Sequence, residues 1–447
     1  MMKDVDRRTF LKGAAASAAV VAPAHTHAAA AVSGVNNTEP AKKQTPSAGL
    51  SQKGMNRLSG ILTSYTDDGE TPGIVALISR RGQVEVNTIG VKKLGDKAPI
   101  ERDTIFRIAS MTKPITAAAT MILVEQCALR LDEPVDRLLP ELANRRVLKQ
   151  IDAKLDDTVP AKRPITVRDL LTFRMGFGLV FVSPDSCPIL KAANDLQIGM
   201  GAPTPSLLPA PDEWIRRLGT LPLMHQPGEM WMYNTGADVL GVLIARASGQ
   251  PFEVFLRERI FGPLGMKDTD FSVPAAKMNR FATSYWLNPQ TAKLEVFDEA
   301  DSGQWSHPPA FASGSGGLVS TIDDYFAFSE MLLSTGKRGT PHLLSPRSIE
   351  LMRSDQLTPE QKSISGLTPG FFDNQGWGFG MSVITRRTDI AGSAGTFGWN
   401  GGLGTSWRID PREDLTTILL TQRAWSSSNP PNVCLDFWTS AALAIED

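Results

Sequence analysis

Residues 107–126 read RIASMTKPITAAATMILVEQ, and the interpretation of this run decides the fold. Ser110 stands three places before Lys113, Pro114 follows at once, and TAAATMILVEQ behind it carries almost no polar surface. Proline costs nothing in a first helical turn, where its missing N–H would be unpaired anyway. A helix that is apolar nearly all round belongs inside a protein. Because i and i+3 share a helix face, a helix opening here sets the Lys113 amine beside the Ser110 hydroxyl. The apolar body desolvates that amine and lowers its pKa, which a lysine base requires. The helix N-terminus adds backbone donors for a developing oxyanion. The run reads as a serine nucleophile with its own base. The same spacing recurs at Ser334 and Lys337 in STGKRGT, but turn-forming residues mark that stretch as a solvated loop and the match as chance.

Rival hydrolase designs find little support. No serine satisfies G-x-S-x-G, which removes the nucleophile elbow of α/β-hydrolases. Of five histidines, His25 and His27 fall in the N-terminal leader, while His225, His307 and His342 sit in loop-like sequence. There is no H-E-x-x-H and no His/Asp/Cys cluster, so neither a metal nor another cofactor is indicated.

The chain has 447 residues, enough for two interlocked cores. Its 46 basic residues balance 47 acidic ones, leaving no electrostatic basis for a nucleic-acid or membrane-surface partner. Cys127, Cys187 and Cys434 lie far apart without C-x-x-C spacing. They argue against a disulfide scaffold and a zinc site, and read as buried free thiols. At the N-terminus, DRRTFLK precedes an alanine-rich apolar segment and small residues, a twin-arginine export signal over residues 1–30. Residues 31–48 read as a flexible leader. No later apolar run reaches the ~18 residues of a membrane span. The expectation is a periplasmic or secreted protein without stable membrane insertion after signal removal.

Along the body, a helix is expected over 50–65, strands over 73–79 and 84–90 joined by a turn, and helices over 167–173 and 237–248, the last capped by Gly249. Residues 176–211 are loop-rich and read as a flap or lid. Helices follow at 323–333 and 346–352. Strands return at 377–385 (WGFGMSVIT), 405–410 (TSWRID) and 415–422 (LTTILLTQ), with a closing helix over 433–445. Strands at both ends with helices between imply an α/β (α+β) fold. One antiparallel sheet is built from both chain ends (49–128 and 335–447) and flanked by helices, with a mostly helical domain (129–334) inserted.

RIASMTKPIT, VRDLLTFRMGFG, QPGEMWMYNTGADVLG, GSGGLVSTIDDY and FGWNGGLGTSWRIDP occur in that order. Together they resemble the landmarks of the serine β-lactamase and penicillin-binding-protein-like superfamily, nearest its class C branch and the family VIII carboxylesterases, from about residue 50 to 440. The resemblance implies a β-lactamase/transpeptidase-like fold and three catalytic motifs. Ser110 and Lys113 form the first. The second is usually Tyr-x-Asn, but Tyr233-Asn234-Thr235 has nothing between tyrosine and asparagine. Aligning on the tyrosine puts Thr235 at the third place; aligning on Asn234 puts Met232 where the tyrosine belongs. The tyrosine alignment is preferred, because a phenol is the only group nearby able to exchange a proton with Ser110. Which of Asn234 and Thr235 fills the asparagine role stays open.

The third motif is Lys-Thr-Gly in β-lactamases; Trp399-Asn400-Gly401 replaces it here, like the Trp-Gly-Gly of the esterases. A tryptophan offers an apolar wall and one N–H donor instead of a positive charge, which moves the expected substrate from an anionic lactam towards a neutral acyl compound. The resemblance implies catalysis by Ser110, Lys113 and Tyr233. It also implies an oxyanion hole from the N–H groups of Ser110 and Gly402, with Asn234, Trp399, Asn400 and Gly401 lining the substrate. The partner expected is a small-molecule acyl substrate (ester, amide or peptide). A carboxylesterase-like hydrolase ranks first, a peptidase, amidase or β-lactamase second, and an inactive penicillin-binding-like binding protein third.

Overall fold

The computed structural model describes residues 49–180, 187–334 and 341–446. The export signal, the leader and Lys337 of the second Ser-x-x-Lys match lie outside these residues. Helix α1 (Gln52–Asp67) opens on Ser51, whose hydroxyl accepts from the Gly54 N–H at 3.0 Å, a side-chain N-cap. The hairpin β1 (Gly73–Arg80) and β2 (Gln83–Gly90) follows. Helix α2 (Thr112–Glu125) is buried from Thr112 through Leu123, as its apolar sequence demands. Helix α3 (Thr235–Ser248) ends on Gly249 at φ 70°, and α4 (Ile322–Ser334) precedes the remaining sheet. The later strands are β3 (Gln375–Trp377), β4 (Ser382–Ile384), β5 (Phe397–Gly401), β6 (Thr405–Asp410) and β7 (Leu415–Thr421), and α5 (Asn432–Leu443) closes the chain.

The seven strands form one antiparallel sheet in the order β2-β1-β7-β6-β5-β4-β3. The two chain ends meet in it, with Ile74 opposite Thr421 and Arg80 opposite Leu415. Period-two alternation divides β1 between two cores. Ile74, Ala76 and Ile78 face a rear core with Leu58, Leu62, Phe437 and Trp438 of α1 and α5. Val75 and Leu77 face the main core, which holds α2. Both faces are covered, so every residue of β1 is buried, whereas edge strand β2 is half-buried to exposed.

Two expectations are modified. Residues 377–385 form two short strands around a turn, because Gly380 at φ 71° turns the chain and packs its Cα against α2; a Cβ there would stand 2.8 Å from the Lys113 carbonyl oxygen. Helix α4 packs on the sheet, with Tyr325 and Phe328 at 5.4 and 6.1 Å from Trp407 (ring centroids). Cys127 is exposed, while Cys187 and Cys434 are buried. In the described part of 176–211, a helix spans Pro188–Asp195. Trp214 Nε1 donates to the Ile198 carbonyl at 3.0 Å and Ser206 to Gln304 at 2.9 Å, which tie this stretch down. Among the described residues no single helix is long and apolar enough to cross a membrane.

Candidate active site

The nucleophile candidate sits on a turn held under strain. Ala109–Met111 forms one 3₁₀ turn ahead of α2, and Ala109 has φ 43°, a conformation that costs a non-glycine residue of order 1 kcal/mol. Neighbours fix it there. The Ile108 carbonyl accepts from Thr405 Oγ at 3.1 Å, the Ala109 carbonyl from Thr112 Oγ at 2.7 Å, and the Met111 carbonyl from the Tyr325 hydroxyl at 2.8 Å. Ala109 and Met111 are buried, and Ser110 alone on the turn reaches solvent.

Lys113 lies one turn on, 1 % exposed, with Nζ donating to Ser110 Oγ at 2.9 Å and to the Ser315 carbonyl. Burial pushes its pKa down to about 7, against the opposing pull of Asp238. The Tyr233 ring lies 4.4 Å from the same Nζ. Its phenol oxygen accepts from Trp399 Nε1 at 2.8 Å. Burial raises the phenol's pKa, and its interactions with Ser110 and Trp399 oppose the rise. Met232 packs into the main core, 4 % exposed, so the aromatic residue at the nucleophile is Tyr233. Asn234 and Thr235, where α3 begins, are both buried, and among the described residues Asn234 Oδ1 and Thr235 Oγ have no hydrogen-bond partner.

Strand β5 sorts the remaining candidates by face. Trp399 points to the nucleophile. Asn400 points the other way, where its Oδ1 accepts from Ser406 Oγ at 2.8 Å, which in turn accepts from Trp438 Nε1 at 3.1 Å under α5. By this alternation the Asn400 amide is engaged on the rear face, on the opposite side of the strand from Trp399. Gly401 lets β5 approach the backbone before Ser110: a Cβ there would stand 2.2 Å from the Ile108 carbonyl oxygen. Gly402 is exposed on the β5–β6 turn.

An aromatic block absent from the sequence reading encloses Tyr233. Phe173, Trp231, Trp377 and Trp399 stand 5.7–6.4 Å from its ring, and Trp377 meets Trp399 edge-on at 4.6 Å. These rings come from three distant stretches, and only the W-x-Y of Trp231 and Tyr233 offered a local signal. Asp238 was also missed. It is 3 % exposed on α3 and its Oδ1 accepts from Ser313 Oγ and the Ser315 N–H, at 2.7 and 3.0 Å. Of the described histidines, His307 bonds Ser306, His342 is exposed, and burial lowers the pKa of His225.

Comparison with known proteins agrees with this arrangement. The Beta-lactamase family profile matches residues 58–431, and that of the twin-arginine translocation signal matches residues 4–24, which marks the chain for export to the periplasm or beyond. An uncharacterised protein of Mycobacterium tuberculosis is 40 % identical over 385 residues, covering 85 % of this chain and 90 % of its own. Esterase EstB of Burkholderia gladioli is 30 % identical over 397 residues, covering 84 % and 92 %. Among solved structures, EstCE1, described as a hydrolase with promiscuous acyltransferase activity, superposes with a TM-score of 0.71 at 26 % identity, covering 87 % of this chain and 99 % of its own. Unliganded selenomethionyl simvastatin synthase (LovD) of Aspergillus terreus also scores 0.71, at 25 % identity and 89 % and 98 % coverage. A Ser-x-x-Lys helix in a sheet made from both chain ends, with the family profile spanning nearly the whole body, leaves one assignment: the chain belongs to the Beta-lactamase family, as an exported enzyme of the serine-hydrolase type.

Proposed function

We propose that the protein is a carboxylesterase-like hydrolase working through an acyl-enzyme on Ser110. The observation that carries this reading is the buried Lys113 amine 2.9 Å from the Ser110 hydroxyl, with the Tyr233 ring 4.4 Å from the same amine. With its pKa pushed down to about 7, Lys113 has a neutral form available at neutral pH to accept a proton. Ser110 Oγ attacks the acyl carbon while its proton passes to Lys113. The N–H groups of Ser110 and Gly402 hold the oxyanion. Tyr233 relays the proton to the departing alkoxide, which leaves as an alcohol. Water, activated by the same pair, then adds to the acyl carbon and releases the acid. No cofactor enters these steps.

Ester cleavage ranks ahead of lactam cleavage because Trp399 occupies the place of the Lys-Thr-Gly lysine and offers an uncharged ring and an N–H already given to Tyr233. Asn234, Trp399 and the backbone at Gly401 are proposed to border the acyl compound. The relatives described as acyltransferases support a second reading, in which an alcohol in place of water takes the acyl group. The test is turnover of short p-nitrophenyl esters by the mature protein, with mass spectrometry of the trapped adduct. Acyl mass on Ser110 and loss of turnover in Ser110→Ala are expected. Faster turnover of nitrocefin or a D-Ala peptide than of any ester would reverse the ranking.

A further inference from the structure

A loop is clamped between α2 and α3 directly behind the nucleophile. From α2, Thr116 Oγ donates to the Gly314 carbonyl at 2.8 Å and the Lys113 amine donates to the Ser315 carbonyl. From α3, Asp238 Oδ1 takes the Ser313 hydroxyl and the Ser315 N–H, and the two serine hydroxyls stand 3.1 Å apart. Every residue in this chain of bonds is buried: Lys113 1 %, Asp238 3 %, Ser313 and Ser315 7 % each. The other groups facing Lys113 are neutral, namely the Ser110 hydroxyl and the Tyr233 ring. Asp238 is a charge that acts on Lys113, and Lys113 acts on Asp238 in return.

A carboxylate this deep is expensive unless its lone pairs are satisfied, and packing α3 would be as well served by an apolar side chain. We infer that Asp238 is a positioning residue of the active site: through Ser313 and Ser315 it holds the carbonyl to which the Lys113 amine is tethered, and it supplies the negative charge against which that amine titrates. The inference rests on Lys113 being the base of the proposed reaction. Its two parts separate chemically. Asparagine keeps the Oδ1 acceptor and removes the charge; alanine removes both.

The sign follows from the charge. A nearby carboxylate favours the ammonium, so without it burial acts unopposed and Lys113 gives up its proton at lower pH. In Asp238→Asn the acid limb of kcat/KM on a p-nitrophenyl ester therefore moves to lower pH, by about one unit or more. In Asp238→Ala, kcat falls by more than about tenfold at every pH while KM changes little, because the tether is lost. An Asp238→Asn limb lying on the wild-type limb, or wild-type kcat in Asp238→Ala, overturns the inference. Should Asp238→Asn not fold, as judged by its melting transition, Ser313→Ala decides. That variant removes one of the two bonds and leaves the charge, so reduced kcat with an unmoved acid limb supports the role and wild-type kcat overturns it. Acyl mass on Ser110 of the wild type is measured alongside. If none forms with any ester, the proposed function fails; if it forms and the limb does not move, only the role of Asp238 fails.

Discussion

Trp399 acts on the site through its ring, which walls it, and through its N–H, which donates to the Tyr233 phenol at 2.8 Å. A hydrogen bond to a group that gains charge contributes about 1.5–3 kcal/mol. Trp399→Phe keeps most of the wall and removes the donor, so kcat on a p-nitrophenyl ester is expected to fall about tenfold or more with KM little changed. Wild-type kcat in that variant would show that the indole N–H takes no part. In the proposed mechanism Lys113, as the base, sets the pH profile. Burial disfavours its ammonium, so the base is neutral above about 7 and protonated below it. Activity therefore rises with pH through about 7 and is lost on acidification, by about tenfold per unit well below that point. Lys113→Arg, which cannot shed its proton, should show no turnover in stopped-flow or steady-state assays at any pH. Ser110 and Lys113 were legible in the sequence because their relation is one helical turn. Tyr233 against Met232 was not settled there, because the two alignments differ by a single residue and only burial separates them. Asp238 was hidden because one acid near the start of a helix ordinarily reads as a surface residue complementing the helix dipole.

At the scale of elements, β5 turns a one-residue difference into a change of face. Trp399 and Asn400 are adjacent, yet one meets Tyr233 and the other meets Ser406 and Trp438 behind the sheet. Asn400→Ala should cost roughly 1 kcal/mol of stability by urea titration and leave kcat/KM near wild type, in contrast to Trp399→Phe. The segment after the short helix Pro359–Ser363 forms another boundary of the site. Ser365 Oγ accepts from the Trp231 N–H at 3.0 Å, Phe371 stacks on Trp231 at 5.5 Å and meets Trp399 edge-on at 6.4 Å, and Ile364 is 55 % exposed. Phe371→Ala opens space beside Trp399. The preference for octanoyl over acetyl p-nitrophenyl esters should then rise about tenfold in kcat/KM, the range a small change in an apolar pocket commands. An unchanged chain-length profile would place the acyl group elsewhere. Strands such as TSWRID were legible by their alternation, and observed β6 matches that stretch residue for residue. The aromatic block was not, because hydrophobic period reports burial and not which distant rings meet.

At the scale of the whole molecule, the sheet joins chain ends more than 300 residues apart, since Ile74 pairs with Thr421. Strands at both termini with helices between them were enough to infer such a sheet. The strand order was not readable, because register is set by packing on both faces and no turn links β1 to β7. The same closure couples stability to the site. Strand β6 carries Trp407, fully buried against Tyr325, Phe328 and Phe397, and two residues earlier Thr405, whose hydroxyl holds the Ile108 carbonyl beside the strained Ala109. Tyr325 in turn donates to the Met111 carbonyl on the other side of Ser110. The nucleophile turn is thus anchored at both ends to groups that the Trp407 ring packs against or sits beside. Trp407→Ala should cost about 3–5 kcal/mol through the cavity it leaves. Because Tyr325 loses a packing surface, kcat should also fall under conditions where circular dichroism still reports a folded protein. Tyr325→Phe, which keeps the ring and removes only the bond to Met111, separates the two effects: a reduced kcat with a smaller loss of stability is expected. If Tyr325→Phe retains wild-type kcat, the turn is held by Thr405 and Thr112 alone.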